Sequence, residues 1–168
     1  LSENLFKGLS PWMQRLPGGL IHVNVVGCAL FAAISGSSAA TVATVGKMSI
    51  PELRKRNYPE KILLGSLAGS GTLGLLIPPS IILIIYGVAV QESIAKLFIA
   101  GIIPGIMIAL IFMSYVIIWS LINKKSMPKI IEKYSFFEKI KRSKQLLPVI
   151  ILISAVIGSI YTGIATAT

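Results

Sequence analysis

Four long apolar segments dominate this sequence, and none of them contains Asp, Glu, Lys or Arg. They cover residues 20–46, 62–90, 97–122 and 146–166. Charged residues make up 13% of the chain, against about 25% in ordinary soluble domains, and the mean hydropathy is +0.82. An apolar helix of about 20 residues spans the hydrocarbon core of a bilayer. The sequence therefore predicts an all-α polytopic membrane protein with several transmembrane helices.

The basic residues indicate how such a protein is oriented. Two Lys or Arg fall in residues 1–19, five in 47–61 and eight in 124–144, whereas Lys96 is alone between the two middle segments. Because Lys and Arg are enriched in cytoplasmic loops, we expect a cytoplasmic basic loop over 47–61, a cytoplasmic basic linker over 123–145 and Lys96 outside. The net charge of +10 thus reflects membrane topology, and no nucleic-acid partner is predicted.

Two of the apolar segments contain residues that interrupt a helix. Pro78 and Pro79 follow a glycine-rich stretch inside 62–90, which predicts a broken transmembrane helix. Serine and glycine in the centre of 20–46 favour a turn, so this segment either crosses once or forms a re-entrant hairpin. The charge distribution favours the hairpin. Residues 1–19 predict an amphipathic segment in the membrane interface, with a helix packed on the protein as the alternative.

The interrupted segments also hold the candidate functional residues. Hydroxyl groups and freed backbone carbonyls are neutral oxygen ligands that suit a small alkali cation, and discontinuous helices build such sites in secondary transporters. On the residues alone, a kinked structural helix is an equally good interpretation. A passive structural membrane subunit and an intramembrane serine protease using Ser70 and His22 are further, weaker alternatives. The two clusters comprise Ser35, Gly36, Ser37, Ser38 and Thr41, and Ser70, Gly71, Thr72, Pro78, Pro79 and Ser80.

Three stretches carry a resemblance to a known family. They read LPGGLIHVNVVGCALFAAISGSSAATVATVG, IPELRKRNYPEKILLGSLAGSGTLGLLIPPSIILIIYG and LFIAGIIPGIMIAL. In this order they resemble the large membrane subunit of the tripartite ATP-independent periplasmic (TRAP) transporters. Both ends of the sequence look cut, so we expect it to be part of a longer chain whose 146–166 helix leads into a second repeat.

The resemblance implies an elevator-type, sodium-coupled importer of organic acids, such as dicarboxylates or sialic acids, in the bacterial inner membrane. It implies inverted repeats, each with a re-entrant hairpin and a broken helix. Its implied partners are a small membrane subunit, a periplasmic substrate-binding protein and the remainder of the large subunit. Sodium and substrate would lie near Ser35, Gly36, Ser37 and Ser38, with Gly71, Thr72, Pro78, Pro79 and Ser80 framing the facing break.

Overall fold

The computed structural model describes residues 2–128 and 135–161, and every regular element within these ranges is helical. The prediction of an all-α protein is therefore confirmed. Residues 129–134 of the predicted linker and residues 162–166 of the predicted last span lie outside the described ranges. The described α-helices are α1 (Ser2–Met13), α2 (His22–Ser35), α3 (Ser38–Lys55), α4 (Glu60–Gly71), α5 (Ile81–Ala89), α6 (Ile94–Ile122), α7 (Phe136–Ser143) and α8 (Leu147–Tyr161).

Helices α2, α3 and α4 pack against one another and form the core. Their buried side chains lie in two successive layers. Lipid is as apolar as these side chains, so the three helices associate through close van der Waals packing within the layers and through interhelical hydrogen bonds. One layer contains Leu20, Val23, Leu53 and Leu63 together with Phe6 and Leu9 of α1, and the other contains Cys28, Val45 and Leu67.

A buried polar contact fixes α2 against α4. The Asn24 side chain is fully buried, and its Nδ2 donates hydrogen bonds to the Leu63 carbonyl at 3.1 Å and to Ser66 Oγ at 3.0 Å. Ser70 Oγ lies 3.4 Å from the Asn24 carbonyl. A buried polar group without a partner costs about 1–3 kcal/mol, so this contact selects one alignment of the two helices.

Helices α2 and α3 form an antiparallel hairpin whose turn is at Gly36 and Ser37. At the other end, the backbone N–H of Leu20 donates a hydrogen bond of 3.0 Å to the hydroxyl of Tyr58. The chain therefore returns, after α3, to the end of the bundle at which α2 began. The turn over 56–59 and the C-terminus of α6 both lie at this end, packed around Ile62. We call it the basic end, because the Lys and Arg residues of 47–61 and 124–144 adjoin these two places in the sequence.

The prediction of a loop over residues 47–61 is wrong for most of these residues. Helix α3 continues to Lys55 and α4 begins at Glu60, which leaves only residues 56–59 outside a helix. Pro51 removes one hydrogen bond from α3 without ending it. The reason is tertiary: Leu53, two residues later, is fully buried in the core, and its burial outweighs the break.

The segment 62–90 is divided between two helices. Helix α4 ends at Gly71, a 3-10 turn covers Thr72–Leu75, and α5 begins at Ile81. Because Pro78 and Pro79 have no N–H, the carbonyls of the residues four positions earlier have no helical donor. We call residues 72–80 the break.

Two glycines of α6 make room for the break. A Cβ on Gly101 would lie 2.9 Å from the carbonyl oxygen of Leu76, and one on Gly105 would lie 2.9 Å from Ile77 Cγ1. Small residues four positions apart allow a membrane helix to approach another segment closely. The break is therefore held between α6 and the hairpin.

Within the described ranges, α6 is the one helix that is long and apolar enough to cross a membrane. It has 29 residues, its most apolar stretch of 18 residues has a mean hydropathy of 2.5, and at 1.5 Å per residue it is about 43 Å long. Its outward side chains are unpacked, since Ile103 and Ile122 are each 76% exposed. The helix begins three residues before the predicted span and includes Lys96. Helix α8 has 15 described residues.

Helix α1 packs its apolar face on the protein. Leu5 and Phe6 are buried, and Trp12 Nε1 donates a hydrogen bond of 2.8 Å to Ser143 Oγ at the end of α7. The ammonium of Lys139 lies 5.2 Å from the centre of the Trp12 ring. The apolar face of α1 is therefore packed on the protein, as the alternative interpretation of this segment expects. A position of α1 in the membrane interface stays a prediction.

Candidate functional site

The hairpin tip lies directly against the break. The backbone N–H of Ile81 donates a hydrogen bond of 3.4 Å to the carbonyl of Gly36. Gly36 has a φ of +60°, and a Cβ there would lie 2.7 Å from the carbonyl oxygen of Pro79. A Cβ on Gly74 would lie 2.8 Å from the carbonyl carbon of Ser37. The structure thus brings together the two clusters that the sequence singled out, through contacts that only glycine permits.

The hydroxyl groups of the tip organise its own backbone. Thr41 is buried, and both its Oγ1, at 2.7 Å, and its backbone N–H, at 3.0 Å, donate to the Ser37 carbonyl. Ser35 Oγ lies 3.0 Å from Thr41 Oγ1. Ser37 Oγ accepts from the N–H of Ala40 at 3.4 Å and so caps α3. These bonds hold the oxygen atoms of the tip in a fixed arrangement.

The remaining predicted residues occupy different surroundings. Ser38 and Gly71 are neighbours, because a Cβ on Gly71 would lie 3.9 Å from the Ser38 carbonyl oxygen. Thr72 is exposed, and its hydroxyl donates to the Gly69 carbonyl at 2.6 Å. Ser80 is buried and donates to the Leu75 carbonyl at 2.7 Å. The Thr72 and Ser80 hydroxyls therefore stabilise the break itself. Pro78 is buried and lies close to Gly101 of α6.

Helix ends of both polarities meet where the hairpin tip contacts the break, a place that we call the junction. Helices α3 and α5 begin here, at Ser38 and Ile81, while α2 and α4 end here, at Ser35 and Gly71. A helix N-terminus carries about half a positive charge and a C-terminus about half a negative charge. The junction therefore offers partial positive charge to an anion and partial negative charge to a cation without any ionised side chain.

The donor set at the junction is made of neutral oxygen atoms. Within residues 2–128 and 135–161, no group of three or more His, Cys, Asp or Glu is positioned to hold a metal ion. The oxygen atoms present are the carbonyls of Gly36 and Ser37, the hydroxyls of Ser35 and Thr41, and the backbone of the break, and the four named groups also hydrogen-bond within the protein. Such oxygens fit sodium and do not fit a transition metal, which prefers imidazole or thiolate.

Three residues that position the junction were missed by the sequence analysis. Asn24 fixes α2 against α4, while Gly101 and Gly105 of α6 accommodate the break. Each carried a signal: Asn24 is the one Asn in its apolar segment, and the two glycines are four residues apart on an apolar helix.

The alternative of a serine protease is wrong. The His22 ring bonds through Nε2 to the Pro17 carbonyl at 2.7 Å, and Ser70 Oγ donates to the Ser66 carbonyl at 2.6 Å. A nucleophilic dyad requires a hydrogen bond between its two side chains. Here each side chain is bonded to the backbone of its own neighbourhood instead.

Comparison with known protein families identifies the family of this chain. The family described as the tripartite ATP-independent periplasmic transporter, DctM component, matches residues 1–168. The chain belongs to this family. DctM proteins are permeases of the TRAP transporters and not enzymes. This is the family that the sequence motifs resemble.

Individual relatives carry different names. The chain is 40% identical over 154 residues to the C4-dicarboxylate TRAP transporter large permease protein DctM of Pseudomonas aeruginosa, covering 92% of this chain and 35% of that protein. It is 35% identical over 168 residues to the sialic acid TRAP transporter permease protein SiaT of Haemophilus influenzae, covering 100% and 27%.

A third relative is the ectoine/5-hydroxyectoine TRAP transporter large permease protein UehC of Ruegeria pomeroyi. It is 36% identical over 162 residues, covering 94% of this chain and 36% of that protein. The chain thus spans about a third of the length of the relatives it matches.

Proposed function

We propose that this chain forms part of the large membrane subunit of a sodium-coupled importer of organic acids. The observation that carries the proposal is the contact between the hairpin tip and the break, at Gly36, Gly74 and Ile81. It holds neutral oxygen atoms and helix ends of both polarities at one place. The substrate class follows the names of the relatives, since C4-dicarboxylates, sialic acid and ectoine all carry carboxylate groups.

In this proposal the cation and the substrate use opposite features of the junction. Sodium is held by the carbonyl and hydroxyl oxygens around Ser37, Ser38, Thr41 and Gly71, near the C-terminal ends of α2 and α4. The substrate carboxylate lies near residues 35–38, where the N-terminus of α3 attracts an anion. Binding of sodium beside the carboxylate offsets its charge, so each ligand favours the binding of the other.

The proposed setting is the bacterial inner membrane, with the basic end in the cytoplasm. The hairpin of α2 and α3, which includes most of the predicted segment 20–46 and continues to Lys55, is then re-entrant, because both of its ends lie at the basic end and its tip lies within the membrane. A small TRAP membrane subunit, a periplasmic substrate-binding protein and the remaining part of the large subunit complete the transporter.

Elevator-type movement of the hairpin and the break as one unit is part of the proposal, since they share backbone contacts. Ala40 is exposed beside the tip. In the variant Ala40→Cys, we expect the rate of labelling by a water-soluble thiol reagent to change when sodium is added. Equal rates with and without sodium contradict the movement.

Sodium dependence of uptake tests the site. The full-length permease, its small subunit and its binding protein are reconstituted in proteoliposomes with a panel of organic acids. Thr41→Val keeps the side-chain volume and removes the hydroxyl that bonds to the Ser37 carbonyl, so we expect about a fivefold higher half-saturating sodium concentration. Ser37→Ala and Thr72→Val should have smaller effects, because the Ser37 hydroxyl makes only a long bond of 3.4 Å with Ala40 and the Thr72 hydroxyl is exposed.

The backbone variants and a control complete the test. Gly71→Val forces a side chain against Val42 of α3, so it should lower transport and expression together, whereas Pro79→Ala allows the break to become helical and should lower transport at near-normal expression. Ser114→Ala is the matched control, because Ser114 is exposed on α6 and bonds only within its own helix. If every well-expressed variant keeps the sodium curve of the parent, the site is elsewhere. A purely structural role predicts loss of expression with sodium dependence unchanged.

A further inference from the structure

A cavity of about 410 Å³ lies at the basic end of the bundle, far along the hairpin from its tip. Its walls come from the connection between α1 and α2, from the turn over 56–59, and from the end of α6 with the residues that follow. Ligand cavities in proteins typically measure about 300–1,000 Å³, so the volume is sufficient for an organic ligand. The lining includes Gln14, Leu16, Tyr58, Leu121, Lys124 and Met127.

The lining combines an apolar wall with one cationic side chain. Leu16, Leu121 and Met127 supply apolar surface, and Lys124 supplies an exposed ammonium group. None of the eleven lining residues is acidic. Among the described residues, no carboxylate pairs with Lys124. A ligand that satisfies this cavity therefore carries both a negative charge and an apolar part.

Tyr58 adds a hydrogen-bond donor to the cavity. Its hydroxyl accepts the backbone N–H of Leu20 at 3.0 Å, so its own proton is directed to another acceptor. Burial raises the pKa of Tyr58 above its ordinary value, while the nearby Arg56 cation lowers it by a smaller amount. The phenol therefore stays protonated at neutral pH.

We infer that this cavity binds an anionic phospholipid, with the phosphate at Lys124 and the upper acyl chain along Leu16, Leu121 and Met127. Basic pockets at the cytoplasmic ends of membrane helices attract anionic headgroups. A soluble phosphate compound would leave the apolar wall uncovered, which favours a lipid. The inference rests on the proposed placement of the basic end in the cytoplasmic leaflet.

Native mass spectrometry of the purified full-length permease tests the inference. Phosphatidylglycerol, phosphatidylcholine and glycerol 3-phosphate are titrated separately. We expect phosphatidylglycerol to bind more tightly than the other two. Lys124→Gln should weaken phosphatidylglycerol binding about fivefold, the effect of one lysine near an anionic lipid. Lys125→Gln is the matched control, because Lys125 is the exposed neighbour that does not line the cavity.

A second variant separates the apolar wall from the charge. Leu121→Trp enlarges a side chain at the edge of the cavity, so it should weaken the binding of phosphatidylglycerol and of phosphatidylcholine. Lys124→Gln should weaken the binding of phosphatidylglycerol only. Equal phosphatidylglycerol binding by the parent, Lys124→Gln and Leu121→Trp overturns the inference. Glycerol 3-phosphate binding as tight as that of phosphatidylglycerol also overturns it, in favour of a site for a soluble anion. Because binding is measured without transport, failure here is distinct from failure of the sodium site.

Discussion

The carbonyl of Gly36 accepts a hydrogen bond of 3.4 Å from the backbone N–H of Ile81. This bond joins the tip of the α2–α3 hairpin to the first residue of α5, across 45 positions of sequence that include the whole of α3 and α4. It places the start of α5 beside the end of α2. The two interruptions of the apolar sequence are therefore parts of one junction.

Close backbone approach makes the glycines at this junction irreplaceable. Ala at Gly74 places a Cβ 2.8 Å from the Ser37 backbone, and Ala at Gly36 adds a left-handed φ to a similar clash. We expect each variant to lose about 1–3 kcal/mol of stability, the usual cost of overpacking. Thermal unfolding of the purified permease in detergent measures the loss.

Gly65→Ala is the control for these variants. Gly65 lies in the interior of α4, with open space around the position of a Cβ. Because Ala is the better helix former by about 1 kcal/mol, this variant should be neutral or more stable. Similar melting temperatures for Gly65→Ala and Gly74→Ala would show that the tip does not contact the break in the membrane.

The two ends of α6 should face opposite sides of the membrane. Ser93 precedes α6 and Ser126 follows it, so the variants Ser93→Cys and Ser126→Cys, in a Cys28→Ser background, report on the two ends. A membrane-impermeant thiol reagent applied to spheroplasts should label the first and not the second, because we propose that the basic end faces the cytoplasm. Labelling of both positions from the outside refutes the orientation.

Removing the Asn24 side chain should weaken the core between α2 and α4. Asn24→Ala deletes the donors to the Leu63 carbonyl and Ser66 Oγ, and we expect a loss of about 1–3 kcal/mol. In a double-mutant cycle, adding Ser66→Ala should cost less in the Asn24→Ala background than in the parent, because the two side chains share one bond. Additive losses measured by thermal unfolding contradict a direct Asn24–Ser66 contact.

The 168-residue chain alone should not transport. Sites in transporters of this kind lie between two repeats, and this chain spans about a third of the length of its relatives. Its outward α6 side chains, such as Ile103, are also unpacked. The purified chain in proteoliposomes is compared with the complete transporter in the same assay. Sodium-driven uptake by the chain alone would contradict a site that needs both halves.

The sequence predicts that the helices exist more accurately than it predicts the residues at which they begin and end. Hydropathy alone identifies α6, because an uninterrupted apolar stretch with few charges specifies a helix whatever surrounds it. The end of α3 was missed, because Pro51 and the charges around it are typical of a loop. Burial of Leu53 against α1 and α4 keeps that stretch helical, and no local pattern reports such a long-range contact.

For the candidate site, the sequence by itself determined where regular helix is interrupted, because proline lacks an N–H and the Ser-Gly-Ser-Ser stretch favours a turn. Which interruption meets which was decided by the tertiary structure. Gly36, Gly74 and Ile81 are brought together only when α2, α3 and α4 pack, and the roles of Asn24, Gly101 and Gly105 exist only in that packing. Local chemistry acts within a few residues along the chain, whereas the junction depends on close approach between segments that are distant in sequence.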